Sequence, residues 1–235
     1  MRTKTNFGVI VGNRGFFPDH LINTGHSKIR KVLREAGHGC VILPQKETKG
    51  GGVENHEEAK KCAALFAANA DKIDGIIITL PNFGDERAAS NAIRWSGLDV
   101  PVLVQAEPDE VSLMTVENRR DSFCGKISIC NNLQQLGIPF SLTERHCEAL
   151  DSAQFAYDLD VFAATCRVVK ALKGLRLGAI GARTGAFMTV RYSEKILERA
   201  GITVETLDLS ELIAMADKLE GSRQARAKVK KLKDY

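Results

Sequence analysis

Two short stretches hold the residue types from which a small-molecule site could be built: Asn13-Arg14-Gly15 and Asn82-Phe83-Gly84-Asp85-Glu86. Arg14 offers a fork of hydrogen-bond donors. Around it would stand two amides (Asn13, Asn82), two carboxylates (Asp85, Glu86) and the aromatic face of Phe83. Such a set suits a polyhydroxylated or anionic small molecule, because each hydroxyl needs both a donor and an acceptor. Arg14, Phe83, Asn82, Asp85 and Glu86 are therefore the candidate substrate-binding residues. Two plainer roles stand beside this one. An Arg14–Asp85 or Arg14–Glu86 salt bridge could simply close a sheet end, and the Asn, Gly and Asp could serve turn geometry alone.

The elements that must bring the stretches together are strands. Gly75-Ile76-Ile77-Ile78-Thr79-Leu80 is a short, β-branched, uncharged run of the kind buried in a parallel sheet. Pro81 to Gly84 break it, and Asp85 is placed to cap a helix through about Trp95, with Glu86 at the positive end of its dipole. Phe7-Gly8-Val9-Ile10-Val11-Gly12 reads as the first strand, 40–43 as the second, 100–104 as the fourth and 138–142 as the fifth. Helices are expected over about 25–36, 56–70, 122–136 and 152–172. The loop 45–55, with Gly50-Gly51-Gly52, reads as polar and mobile, and the loop 105–119 as long and acidic.

This alternation predicts an α/β fold with a doubly wound parallel sheet. In the common flavodoxin-like order 2-1-3-4-5, strands one and three are neighbours, and their C-terminal loops meet at the switch point where such folds bind ligands. The pattern restarts after Lys173-Gly174, with strands at 175–181 and 204–207, a helix over about 187–200, and another from 210 to 219 that could run on into the basic segment. The expected organisation is a first Rossmann-like domain over 1–172 and the beginning of a second α/β domain over 173–235. Two strands make no stable open sheet, so that second domain reads as incomplete.

Other motifs exclude more than they offer. Gly178-Ala179-Ile180-Gly181-Ala182-Arg183-Thr184-Gly185 has neither the dinucleotide fingerprint spacing nor that of a P-loop, and packing explains it more simply. The five histidines form no HxH or HExxH, so spacing suggests no metal site. His146-Cys147 are adjacent, which is poor geometry for a base and its nucleophile. The six cysteines show no CxxC and no zinc-type spacing, and read as buried free thiols of a reducing cytosol. Of the formal net charge of +4, residues 221–235 contribute +5, leaving −1 for the other 220. A basic end on a neutral body, without interleaved aromatics, is no nucleic-acid signature. No stretch is long and apolar enough for a membrane span, and a cytoplasmic location is expected.

Three places resemble the L-fucose isomerase / L-arabinose isomerase family, in its fucose isomerase-like branch. Val9-Ile10-Val11-Gly12-Asn13-Arg14 is similar to the family's opening strand, and Leu80-Pro81-Asn82-Phe83-Gly84-Asp85-Glu86 to the loop after its third strand. The stretch 177–187, continued by 205–212, resembles the start of its second domain. The resemblance implies the N-terminal part of a metal-dependent aldose–ketose isomerase that moves a proton between C1 and C2 of a monosaccharide such as L-fucose or L-arabinose. It further implies a homo-oligomer of trimer or hexamer type, in which this domain helps close a neighbour's active site, with Arg14 and Phe83 the foremost sugar contacts. Asn82, Asp85 and Glu86 follow them, because their loop departs from the aromatic-rich version of classical fucose isomerases. The family's manganese ligands lie in a later half that no position here matches, so this chain binds no Mn2+ itself and is expected to be inactive alone. The alternative is a non-catalytic sugar- or phosphate-binding α/β module.

Overall fold

The computed structural model describes residues 4–234. The chain divides into two units, Met1–Lys170 and Ala171–Tyr235. In the first, the elements run β1 (Asn6–Gly12), α1 (His20–Glu35), β2 (Gly39–Ile42), β3 (Gly52–Val53), α2 (His56–Ala67), β4 (Gly75–Leu80), α3 (Glu86–Ser96), β5 (Val102–Ala106), α4 (Ser122–Gln135), β6 (Ser141–Leu142) and α5 (Ala153–Leu172), the last ending two residues past the division. The strands pair in parallel in the order β2-β1-β4-β5-β6, with β3 also on β1. With β3 set aside, this is the expected 2-1-3-4-5 order of a doubly wound sheet.

Successive side chains of a strand point to opposite faces, and here each face meets its own helical layer. Ile10, Ile76, Ile78, Leu80, Val102 and Val104 pack with Phe66 of α2, Ala88, Ala89 and Ala92 of α3, and Ile129 and Leu133 of α4. Phe7, Val9, Val11, Ile77 and Leu103 pack instead with Ile22, Ile29 and Leu33 of α1 and Phe155, Leu159 and Phe162 of α5. Every residue of β4 is buried. Burial on both faces is why β4 reads as a continuous apolar run and not an alternating one.

Several expectations are corrected. Helix α1 begins at His20, five residues before the expected start, because Leu21 and Ile22 extend its buried stripe. The loop 45–55 is not a mobile excursion throughout: Lys49–Gly51 form a 3-10 turn, and Gly52–Val53 pair with Val11–Gly12. The fifth predicted strand shrinks to Ser141–Leu142 on the sheet edge. Pro139 has no N–H to donate to a ladder.

The second unit, described by itself, holds the parallel pair β7 (Arg176–Ile180) and β8 (Thr203–Leu207), with α6 (Glu194–Arg199), α7 (Leu209–Leu219) and α8 (Arg223–Lys233). The helix expected over 187–200 is instead a 3-10 turn, Met188–Val190, followed by the short α6. The basic segment does not prolong α7. Gly221 sits at φ 67° and Ser222 accepts from the Ala225 N–H, so a new helix starts there. Arg176 and Glu205 join β7 to β8 by two hydrogen bonds of 2.8 and 2.5 Å.

Candidate functional site at the carboxyl edge of β1 and β4

Parallel pairing of Phe7–Val11 with Gly75–Thr79 sets the C-terminal ends of β1 and β4 side by side. Asn13 and Asn82, the first polar residues beyond these strands, are both fully buried. The Asn82 amide donates to Asn13 Oδ1 at 2.5 Å, while its own oxygen accepts from the Gly84 N–H at 3.2 Å. Asn13 in turn donates to the Glu54 carboxylate, and Glu54 is delivered there by β3. The Glu54 N–H donates to the Glu58 carboxylate at 2.8 Å. Burial, with Glu54 nearby, pushes the Glu58 carboxyl above its usual range. These hydrogen bonds fix the two loops to each other. Asn82 therefore faces the protein interior, its polar atoms taken up by neighbours.

Above this buried layer lies an aromatic one. The Phe17 ring is 4.9 Å from that of Phe16 and 5.7 Å from that of Phe83. The Arg14 guanidinium lies 4.6 Å from the Phe83 centroid and 5.8 Å from that of Phe16, and its Nη1 is 3.3 Å from Glu86 Oε2. So Arg14, Phe83 and Glu86 come together as expected, and the Arg14–Glu86 ion pair exists. It is one contact between half-exposed groups, worth well under about 1 kcal/mol. Asp85 instead caps α3, its Oδ1 accepting from the Ala88 N–H at 2.7 Å. The turn itself needs glycine twice. Gly84 has φ 73°, and a Cβ on Gly125 of α4 would overlap the Phe83 carbonyl.

Some residues of this edge lie outside the sequence candidates. Phe16 is 70% exposed. Arg119 lies 5.3 Å from the Phe17 centroid, and its Nε is 3.6 Å from Asp121. Arg120 donates to the Pro81 carbonyl at 2.8 Å, and its backbone N–H donates to Asp109 at 2.8 Å. Those bonds hold the end of the 105–119 loop against the β4 turn. The available signals were the Phe16-Phe17 pair after Gly15 and the Arg119-Arg120 pair just before a helix start.

Further along the edge, Thr79 donates to Gln105 at 2.6 Å, and Gln105 donates to the Glu148 carbonyl at 2.6 Å. The buried Lys126 ammonium donates to Thr143 Oγ1 and to the His146 carbonyl, at 2.7 and 2.9 Å. Burial pulls its pKa below the usual lysine range, and burial pushes the Cys130 and Cys147 thiols up. His146 stacks near Phe123, 5.1 Å between centroids. The segment 143–148 is thus tied down by Lys126, and a thiol held protonated by burial is no nucleophile. Among the described residues, all six cysteines are free, but only Cys62 and Cys166 are buried, and Cys124 is exposed. No group of three or more His, Cys, Asp and Glu among them could hold a metal ion, and no helix is long and apolar enough to cross a membrane.

The arrangement sets an exposed ring (Phe16), a guanidinium over two rings and a carboxylate beside it at the carboxyl ends of two paired strands. No curated protein matches the chain. A family model for the N-terminal domain of fucose/sulfoquinovose isomerases matches residues 8–173, from within β1 to the end of α5. The match contains every residue of this edge, and the chain therefore belongs to the fucose/sulfoquinovose isomerase family, carrying its N-terminal domain over residues 8–173.

Proposed function

We propose that this chain is the N-terminal part of a metal-dependent aldose–ketose isomerase acting on a monosaccharide, and that its first unit supplies sugar contacts and oligomer interface, not acid–base groups. The observation that carries this is Arg14, laid on Phe83 and Phe16 at the switch-point edge with Glu86 at 3.3 Å. An exposed ring such as Phe16 can take the C–H face of a sugar, while Arg14 and Glu86 supply donors and an acceptor to its hydroxyls. Proton transfer between C1 and C2 needs a carboxylate free to accept. Asp85 is occupied as a helix cap, and Glu86, beside the Arg14 guanidinium, is a carboxylate that accepts from a hydroxyl, so both serve as holding groups. The described residues do not fit the manganese such isomerases use, and no step of the proton transfer is assigned to them. In the proposed homo-oligomer, a neighbouring copy closes over this edge.

The test is an amide-resonance titration of the full 235-residue chain with L-fucose and L-arabinose. Shifts should concentrate at 13–17 and 82–86, weaken at least about tenfold in affinity for Arg14→Ala, and be unaltered by added Mn2+. Robust isomerisation of either sugar by this chain alone would overturn the division of labour. Saturable sugar binding with no self-association at any concentration would favour a stand-alone binding module.

A further inference from the structure

Helix α5 has two apolar faces. One, with Phe155, Leu159 and Phe162, packs on the sheet. On the opposite side Tyr157, Val161, Val168 and Leu172 stand 65%, 48%, 58% and 41% exposed. At 3.6 residues per turn these four fall within about 60° of arc, a stripe about 22 Å long. Leu142 of the edge strand β6, itself exposed, lines the same hollow as Tyr157 and Val161, so the apolar surface runs on from the helix to the sheet edge. Single apolar residues on a surface need no explanation, but a continuous stripe marks a contact.

The order of residues along the stripe indicates its occupant. Its gaps are four, seven and four residues, so the pattern reads the same from either end. A second α5 laid antiparallel across it sets Tyr157 against the partner's Leu172 and Val161 against the partner's Val168, each twice. Ala164 and Thr165, both small, stand at the midpoint and let the helix axes approach. The bordering charges obey the same symmetry. Asp160 and Arg167 lie seven residues apart, hence on one flank of the stripe, within about 20° of each other. A twofold axis matches each flank with itself, so Asp160 borders the partner's Arg167, about 3 Å away along the helix axis. Other charges of α5 have partners in their own chain. Lys170 meets Asp74 at 2.6 Å, and Asp158 accepts from the Glu144 N–H at 3.2 Å and the Gln154 amide at 3.0 Å.

We propose that the outer face of α5 is an isologous interface, on which a second copy of this chain docks its own α5 antiparallel about a twofold axis between Ala164 and Thr165. None of its residues belongs to the β1 and β4 edge, so this contact stands or falls apart from the sugar-contact reading.

The experiment is sedimentation velocity of the full chain over a range of concentrations. The wild type should pass reversibly from monomer to dimer as concentration rises. Val161→Glu should raise the dimer dissociation constant at least about 100-fold, because it brings two carboxylates into the apolar seam, with the far-UV circular dichroism spectrum unchanged. Asp160→Arg alone should weaken the dimer about tenfold, and adding Arg167→Asp should restore it to within about threefold of wild type. Under diamide, Thr165→Cys should gain a reducible dimer that neither the wild type nor Ala156→Cys, on another exposed side of the helix, gives. A wild-type chain that stays monomeric, an assembly that survives Val161→Glu, or a double charge swap that recovers nothing overturns the proposal. Should Val161→Glu fail to fold, absence of the Thr165→Cys cross-link overturns it alone.

Discussion

Substituting Gly125 by alanine puts the close approach of α4 to the β4 turn to a test in which two effects have opposite signs. Gly125 lies inside α4, where its N–H already bonds the Asp121 carbonyl at 3.2 Å. On helix propensity alone, alanine there should stabilise by about 1 kcal/mol. A Cβ at that position, however, would come within 2.5 Å of the Phe83 carbonyl carbon and 2.8 Å of its Cα, and closer still to its oxygen. These are backbone atoms, held by the Asn82–Gly84 bond and by the Arg120 bond to Pro81. No rotamer change relieves the clash, so the cost belongs at the upper end of overpacking penalties, about 3 kcal/mol. The net loss is then about 2 kcal/mol, or a fall in melting temperature of about 4–8 °C for a unit of this size. The chain has one tryptophan, Trp95, on α3 of the same unit, so its fluorescence during urea or thermal unfolding reports on that unit. Gly137→Ala is the control. Its φ is 68° but nothing lies within 4 Å of its Cβ direction, so only backbone strain of about 1 kcal/mol is expected. A Gly125→Ala unfolding midpoint equal to or above wild type would refute the close-approach reasoning.

Three further outcomes follow from the same edge and its surroundings. Asn82→Ala should cost about 2–4 kcal/mol in chemical denaturation, because it strands the buried Asn13 Oδ1 and the Gly84 N–H; a loss under about 0.5 kcal/mol would mean water replaces the amide. Asp85→Ala should lower stability by about 1 kcal/mol while Asp85→Asn costs almost nothing, as expected of a helix cap; equal losses in the two variants would point to a role for the charge instead. His26 is buried, its Nε2 2.8 Å from the Leu43 carbonyl, and burial lowers its pKa from 6.5. The unfolded chain therefore binds a proton that the folded one resists. This contribution to stability is complete above pH 6.5 and is lost as pH falls through the folded value. Unfolding free energy followed over that acidic window should slope less for His26→Gln than for the wild type, and identical slopes would remove His26 as the cause.

The order of the sheet was legible because each central strand is buried on both faces, so Ile76-Ile77-Ile78 had to be apolar without interruption. The cap at Asp85 was legible for a local reason too, since a carboxylate directly after a strand-ending turn reaches the first N–H groups of its own helix. What depended on long-range packing was not. Asn82 could not be recognised as an interior residue, because its partner Asn13 comes within reach only once β1 and β4 pair. Arg119 and Phe16 were missed because neither lies next to a strand end in the pattern. A loop read as acidic brings an arginine onto a ring contributed from a hundred residues earlier. Strand β3 was hidden by the run Gly50-Gly51-Gly52, which reads as freedom when it in fact admits close contacts, Gly51 of the preceding turn approaching the His26 ring and Gly52 of β3 the Ile22 side chain.

Val11 pairs with Thr79 on one side and with Gly52 on the other, while Asn6–Val9 pair with Gly39–Ile42. The second position in the sheet is thus a strand cut in two, with residues 43–51 looping out between the halves. Residues 44–47 at the tip of that loop are exposed. A protease site or a reporter domain inserted there would interrupt neither half of the ladder. The two cut ends would remain registered by β1, so the nicked protein should hold together without a covalent link. That makes the tip a natural seam for splitting the domain into fragments that reassemble on mixing.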